Sequence, residues 1–337
     1  MRKTALMTVW LCALAGAPAS ANDSSAELAT GGLVLAKSAD IEMRAEDLYV
    51  SAKEIRVEAR FYNTSAKDVT TVVAFPMPDI TIEHPDEVIS VPTEDPQNIL
   101  GFSTKVDGQP VEMRVEQKVY SGGIERTDVL ARLAVPLAPH LAATNEALDR
   151  LAPAGQDELV KLGLAEIEEF DVGKGMEKHL SARWTLKTTY FWEQTFPAKA
   201  EIVIEHHYTP SVGASVQTSI GSKEAMKEDW FAAYRAKYCM DASFLGAVEQ
   251  VREAAKSEYG APFSEQRISY ILTTGGNWAG PIGTFRLVVD KGDASSLVSF
   301  CGEGVKKIGA TEFEMLQSNF VPKSNLNVLI LKRLETP

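Results

Sequence analysis

The sequence predicts a mainly β protein of the α+β class. It reads as two antiparallel β-sandwich-like parts, a helical insert between them and one long helical segment near residues 223–257. Three observations predict this. Apolar and polar residues alternate over short runs, the period of two that marks strands half-buried in antiparallel sheets. Clusters of Gly, Pro, Asn and Asp punctuate those runs. Helical periodicity is confined to two stretches, without the strand–helix alternation that builds parallel sheets.

The first 21 residues, MRKTALMTVWLCALAGAPASA, stand apart. Arg2 and Lys3 precede an apolar run from Ala5 to Ala17, and Ala19-Ser20-Ala21 ends it with small residues. That is the layout of a cleavable signal peptide, with processing expected before Asn22. The run is shorter than the roughly 20 residues of a membrane span, and no later segment matches it. Cys12 lacks the small preceding residue of a lipoprotein anchor. A periplasmic or secreted protein is expected, with no transmembrane segment in the mature chain.

Residues 22–138 read as an N-terminal β-sandwich-like domain. In EIRVEARFYN, Ile55, Val57, Ala59 and Phe61 alternate with Arg56, Glu58, Arg60 and Tyr62. NTSAKD turns the chain, and VTTVVAFPMPD resumes the alternation until Pro76 and Pro78, which cannot donate to a strand ladder. Asp107-Gly108 marks a hairpin. Residues 139–176 shift to Ala, Leu and Glu and read as a helical connector broken at Pro153-Ala154-Gly155. Thr144 or Asn145 is its first expected cap, and Gln156 or Asp157 begins its second helix.

Residues 177–335 read as a C-terminal β-rich domain. In KAEIVIEHHYT, Ala200, Ile202, Ile204 and His206 share one face, while Glu201, Val203, Glu205 and His207 share the other. Met226, Trp230, Tyr234 and Tyr238 fall four apart on a helical stripe, and Phe244, Val248 and Val251 form a second stripe after a break near Cys239. Both stripes read as packing faces. RISYILTT, TFRLVVD, SLVSFC, TEFEMLQSNF and NVLILKRL return to strands.

Charge and cysteine content narrow the function classes. The chain of 337 residues carries a net −12. Without Arg2 and Lys3 there remain 32 basic against 46 acidic residues, a net of −14. Such a surface repels nucleic-acid backbones and anionic lipid headgroups. Two cysteines follow the signal, Cys239 and Cys301, and in an oxidising compartment they are expected to pair. No Cys-x-x-Cys, nucleophile elbow, HExxH, calcium loop or dinucleotide fingerprint occurs. His206 and His207 are adjacent but point to opposite faces of a strand, so no metal site is assigned.

ILTTGGNWAGPIG, residues 271–283, holds four glycines around Trp278. A phosphate loop needs a helix N-terminus after its glycines, whereas TFRLVVD follows here and reads as a strand. The stretch is therefore expected to be a β-connection: glycines at positive φ, Pro281 at one bend, Trp278 at the core edge, and no cluster of acids and imidazoles beneath it.

Several stretches together resemble one family: NDSSAELATGGLVLAKSADIEMRAEDLYVS, VTTVVAFPMPD, YILTTGGNWAGPIGTFRLVVDKG and VSFCGEGVKKI. They are similar to the secreted bacterial proteins grouped as domain of unknown function 4424, over about Asn22 to Leu331. The resemblance implies an exported protein with no assigned activity, and it supplies no catalytic residues. The reading is thus a non-catalytic binding or structural module of the bacterial envelope, without cofactor, whose partner is an envelope protein or glycan. Trp278, Trp192, His207 and Glu205 are the candidate ligand-binding residues, the tryptophans as part of an aromatic patch with Tyr190. Two rivals stand beside it. A periplasmic hydrolase with dispersed residues would gather Glu205 and His207 in a deep pocket. A small-ligand carrier would enclose a cavity between the two β-parts.

Overall fold

The computed structural model describes residues 22–29, 32–82, 88–171, 175–257 and 260–334. The expected signal peptide lies outside the described residues. The alternation read from the sequence does produce a mainly β fold, with helices few and short. In the Ile55–Asn63 strand every second residue is buried, from Ile55 to Asn63, and the residues between face out.

Three sheets carry the architecture. A seven-stranded sheet runs in the order Ile124–Glu125, Arg114–Ser121, Thr185–Phe196, Val69–Pro76, Ser24–Ala29 and Gly32–Ala36, with Ile80–Thr81 also on Thr185–Phe196. An eight-stranded sheet runs Lys306–Lys307, Glu312–Phe320, Ile282–Asp290, Ile41–Ser51, Ile55–Asn63, Glu201–Tyr208, Ser103–Val106 and Gln109–Pro110. A five-stranded sheet contains Leu297–Phe300, Leu326–Arg333, Phe263–Tyr270, Val212–Ser215 and Val88–Ser90. Among the described strands the pairings are antiparallel except one: Ile282–Asp290 lies parallel to Ile41–Ser51. The eight-stranded sheet draws on both sides of residues 139–176, so the two sequence-consecutive β-parts share their sheets.

Aromatic side chains close the joint between these sheets. Phe75 of the seven-stranded sheet lies 4.9 Å from Phe102, 6.2 Å from Tyr208 of the eight-stranded sheet and 6.4 Å from Tyr270 of the five-stranded one. Phe61 packs 4.7 Å from Trp278 and 6.0 Å from Phe196. Burying such rings supplies much of the apolar driving force, roughly 1.5–3 kcal/mol for each large side chain.

The hairpin at Asp107-Gly108 forms as expected, with both residues at positive φ, 49° and 75°. The helical connector differs in detail. Its helices are Ala142–Asp149 and Pro153–Lys161. Thr144 is inside the first, bonding Ala138 O rather than capping, and Pro153 opens the second instead of breaking it. Proline's fixed φ suits the first helical position, where its missing N–H costs nothing. The long segment near 223–257 divides into Asp229–Lys237 and Ala242–Ala254, the latter capped by Asp241 through Phe244 N. Tyr238, Phe244 and Val248 are buried, while Met226 and Trp230 at the stripe's other end are 36% and 45% exposed.

Candidate functional site

The Glu201–Tyr208 strand divides its chemistry between two faces. Its pleat sends His206 into the aromatic interior and Glu205 and His207 to solvent. Inside, His206 Nε2 lies 3.0 Å from Asp23 Oδ2, and His206 Nδ1 lies 2.8 Å from Thr104 Oγ1 on the neighbouring strand. Phe75 and Phe102 cover the ring at 4.6 and 5.2 Å. Carboxylate, imidazole and hydroxyl stand in the order of a hydrolase triad. All three residues are nonetheless sealed, at 0–3% exposure. Thr104 Oγ1 also rests 3.0 Å from Met113 Sδ. The hydroxyl is closed to solvent, and within the core the relay pairs the imidazole with a carboxylate on one side and a hydroxyl on the other.

A second carboxyl lies beside it. Glu46 is on the inward face of Ile41–Ser51 because the strand shifts register between Met43 and Ala45. Glu46 Oε2 accepts from Asn22 Nδ2 at 2.8 Å, and Glu46 Oε1 from Tyr270 OH at 3.4 Å. Burial raises its pKa to about 8; the Asn22 hydrogen bond opposes that rise and the nearby Asp23 charge adds to it. Burial and the facing Glu46 likewise push the Tyr270 phenol well above its ordinary value. Asp23 Oδ1 is buried and has no hydrogen-bond partner.

The glycine stretch holds this cluster from the other side. Its first part is a short 3-10 turn, Thr273–Asn277. Trp278 Nε1 donates to Asp23 O at 2.7 Å, and Asn277 Nδ2 donates to Ser24 Oγ at 3.0 Å. Of its four glycines only Gly280 has positive φ, 79°. Gly275 and Gly283 serve close approach instead. A Cβ would lie 2.9 Å from Asn22 Nδ2 at Gly275 and 2.5 Å from Arg44 O at Gly283. The absence of a following helix is as expected, because Ile282–Asp290 is a strand. The absence of acids and an imidazole beneath Trp278 is overturned: Asp23 is bonded to the indole, and Glu46 and His206 lie beyond it.

On the outer face of the eight-stranded sheet lies a groove of about 320 Å³. Asp47, Tyr49, Arg56, Glu58, Lys105, Glu205, His207 and Arg286 line it, among others. The carboxylates and cations are equal in number, and several are paired. Arg286 Nη1 meets Asp47 at 2.9 Å and its Nε meets Glu314 at 2.8 Å. Arg56 stacks over the Tyr49 ring at 4.2 Å. His207 Nε2 lies 3.1 Å from Glu54 Oε2, so its carboxylate partner is Glu54 rather than Glu205.

The candidate residues thus separate. Glu205 and His207 share the groove, whereas Trp278 and Trp192 are buried at 3% and 4%. Tyr190 is buried as well, so the anticipated aromatic patch does not exist at these positions: the rings form core. Cys239 and Cys301 are joined, with S–S 1.98 Å and Cα–Cα 5.1 Å, tying the end of the Asp229–Lys237 helix to the chain after Leu297–Phe300. Among the described residues no group of three or more His, Cys, Asp or Glu is placed to hold a metal ion. None of their helices is long and apolar enough to cross a membrane. Sequence reasoning missed Asn22, Asp23, Glu46 and Thr104. One signal was available for Glu46, which shares parity with the buried Leu48 and Val50.

No curated protein matches the sequence. Among solved structures, a crystal structure of a "putative nutrient binding protein" from Legionella pneumophila subsp. pneumophila str. Philadelphia 1 is similar over 93% of this chain and 70% of its own. The identity is 16% and the TM-score 0.43. The family model described as domain of unknown function (DUF4424) matches residues 21–329, and the chain belongs to that family.

Proposed function

We propose that the protein is an exported, non-catalytic binding module of the bacterial envelope, and that the groove on the outer face of the eight-stranded sheet is its ligand face. One observation supports this reading: the groove presents Lys105, Glu205, His207 and Tyr49 to solvent, whereas Asp23, His206 and Thr104, though His206 borders the groove, are buried. Mixed charges beside an aromatic ring suit a polar ligand, a partner protein's loop or a glycan, held by hydrogen bonds and short-range ion pairs. Export is supported by the leader pattern in residues 1–21 and by the Cys239–Cys301 disulfide, a bond that persists in oxidising compartments.

The test is site-specific photo-crosslinking in cells. A photoreactive residue at Lys105 is expected to give adducts of discrete mass, and one at Leu316, 60% exposed outside the groove, is not. Equal labelling from both positions, or none from Lys105, refutes the groove as ligand face. Turnover of a hydrolase substrate that is lost in Thr104→Val would favour the enzyme instead.

A further inference from the structure

We infer that the glycine stretch and the two buried carboxyls form a receptor for the protein's own processed N-terminus: hydrolysis of the Ala21–Asn22 bond leaves an α-ammonium that becomes the counter-ion of Asp23 and Glu46. The inference rests on the export reading and goes past it, because it gives the processed end a structural role inside the fold.

Four observations converge on it. Asn22, Asp23 and Ser24 are all 0% exposed in the chain that still carries residues 1–21, an unusual place for three consecutive polar residues. Each is gripped by a different group: Asn22 by Glu46, the Asp23 carbonyl by Trp278, and the Ser24 hydroxyl by Asn277. Gly275 has no side chain where one would collide with Asn22 Nδ2. Finally, beyond His206, which pairs with Asp23, no described group offers a cation to the second carboxyl, which burial keeps protonated up to about pH 8. The groups facing it are Asp23 and Glu46, His206 paired to Asp23, and the phenol of Tyr270. With both carboxyls ionised, a protonated His206 would still leave one negative charge over, and Asp23 Oδ1 lacks a donor.

The candidate for the missing cation is the Asn22 main-chain nitrogen. Covalent geometry keeps the Asn22 main-chain nitrogen within about 5 Å of its own Nδ2, and that Nδ2 touches Glu46 at 2.8 Å. As a peptide amide this nitrogen donates to no described group. Processing changes it. Water adds across the Ala21–Asn22 amide in a leader peptidase, Ala21 departs with a carboxylate, and the freed amine of Asn22 takes up a proton. The product carries three donors and a full positive charge where the amide had one N–H. Once such a pair is buried, removing either partner is strongly destabilising, because it leaves the other charge uncompensated away from water. The family match itself begins at residue 21, beside this junction.

Two measurements test the idea separately from export. Intact mass of the protein recovered from the cell envelope is expected to place the first residue at Asn22. Independently, the chain cut in vitro to begin at Asn22 is compared with one carrying a single extra residue ahead of it. The extension is expected to lower Tm by at least about 5 °C, and by much less in a Glu46→Gln background. The α-amine of the unextended chain is expected to titrate more than about one pH unit above its ordinary value near 8. That titration decides the matter even if Glu46→Gln fails to fold. A native chain beginning elsewhere overturns the inference at the export step. Equal melting with an ordinary amine overturns it at the pocket.

Discussion

Replacing Glu46 by Gln should change how stability depends on pH, most strongly where Asn22 remains in peptide linkage to a preceding residue. In that form no described cation is among the groups acting on the carboxyl, and burial holds its pKa at about 8 against an ordinary 4.5. The sign follows from proton binding. Between those two values the folded state holds a proton that the unfolded state releases, so stability is full below about pH 4.5 and falls as pH rises through about 8. A shift of this size corresponds to a ceiling of about 5 kcal/mol at about 1.4 kcal/mol per unit. The introduced glutamine keeps an amide able to bond Asn22 and Tyr270 and does not titrate. Asp23, His206 and Tyr270 face the same site, but they are common to both proteins and largely cancel in the difference. Urea unfolding followed by tryptophan fluorescence, from about pH 5 to about pH 9, is the assay. The variant should match the parent at the acid end and exceed it by several kcal/mol at the alkaline end. A difference independent of pH would refute the burial argument, since a lost contact costs the same at every pH. In the chain that begins at Asn22 the difference should shrink, because the ammonium lowers the cost of the ionised carboxyl.

Two further outcomes are expected. Reducing the Cys239–Cys301 bond, or replacing both cysteines by Ala, frees a loop of 62 positions and should cost about 4 kcal/mol in the chain-entropy account. Urea midpoints with and without reductant check this, and a loss below about 1 kcal/mol would show that the reduced chain keeps the loop closed by packing. Gly283→Ala should destabilise more than Gly275→Ala, because its Cβ would meet a main-chain oxygen at 2.5 Å, whereas at Gly275 it would meet side-chain ends at 2.9 and 3.0 Å. Thermal melts of the two variants should fall in that order, and the reverse order would place the strain elsewhere.

The strands were legible because burial and alternation coincide. Ile202, Ile204 and His206 share a face in the sequence and in the fold, and Asp107-Gly108 needs only local rules to turn. The shared sheets were not legible, since strand order depends on partners far apart in the chain: Ile41–Ser51 lies between Ile55–Asn63 and the distant Ile282–Asp290. The glycine stretch shows the same division. That it was no phosphate loop followed from the strand after it. That its glycines make room for Asn22 and for Arg44 O did not follow, because both neighbours arrive from more than 230 positions away. Trp278 and Trp192 failed as surface candidates for a related reason: an indole in a strand-rich sequence has no periodic mark separating core from patch. In the groove, Glu205 and His207 were found by parity alone, while Arg286 and Tyr49 come from strands that only topology brings alongside.

Where the polar cluster sits also constrains how the molecule completes its fold. Asp23 precedes the first strand of the seven-stranded sheet, His206 and Glu46 belong to the eight-stranded sheet, and Tyr270 ends a strand of the five-stranded one. The bonds joining them span 183 positions from Asp23 to His206, 224 from Glu46 to Tyr270 and 255 from Asp23 to Trp278. Contacts so distant in sequence are the costliest in loop entropy and form late unless something local favours them. No local element favours these, and half-made they would leave carboxyls, an imidazole and an indole N–H buried without partners, at about 1–3 kcal/mol for each neutral group and more for a charge. The joint between the sheets therefore gains little from partial closure, and the N-terminal segment is one of its pieces. Asn22–Ser24 thus complete the polar seam among the three sheets, held there by Glu46, Trp278 and Asn277.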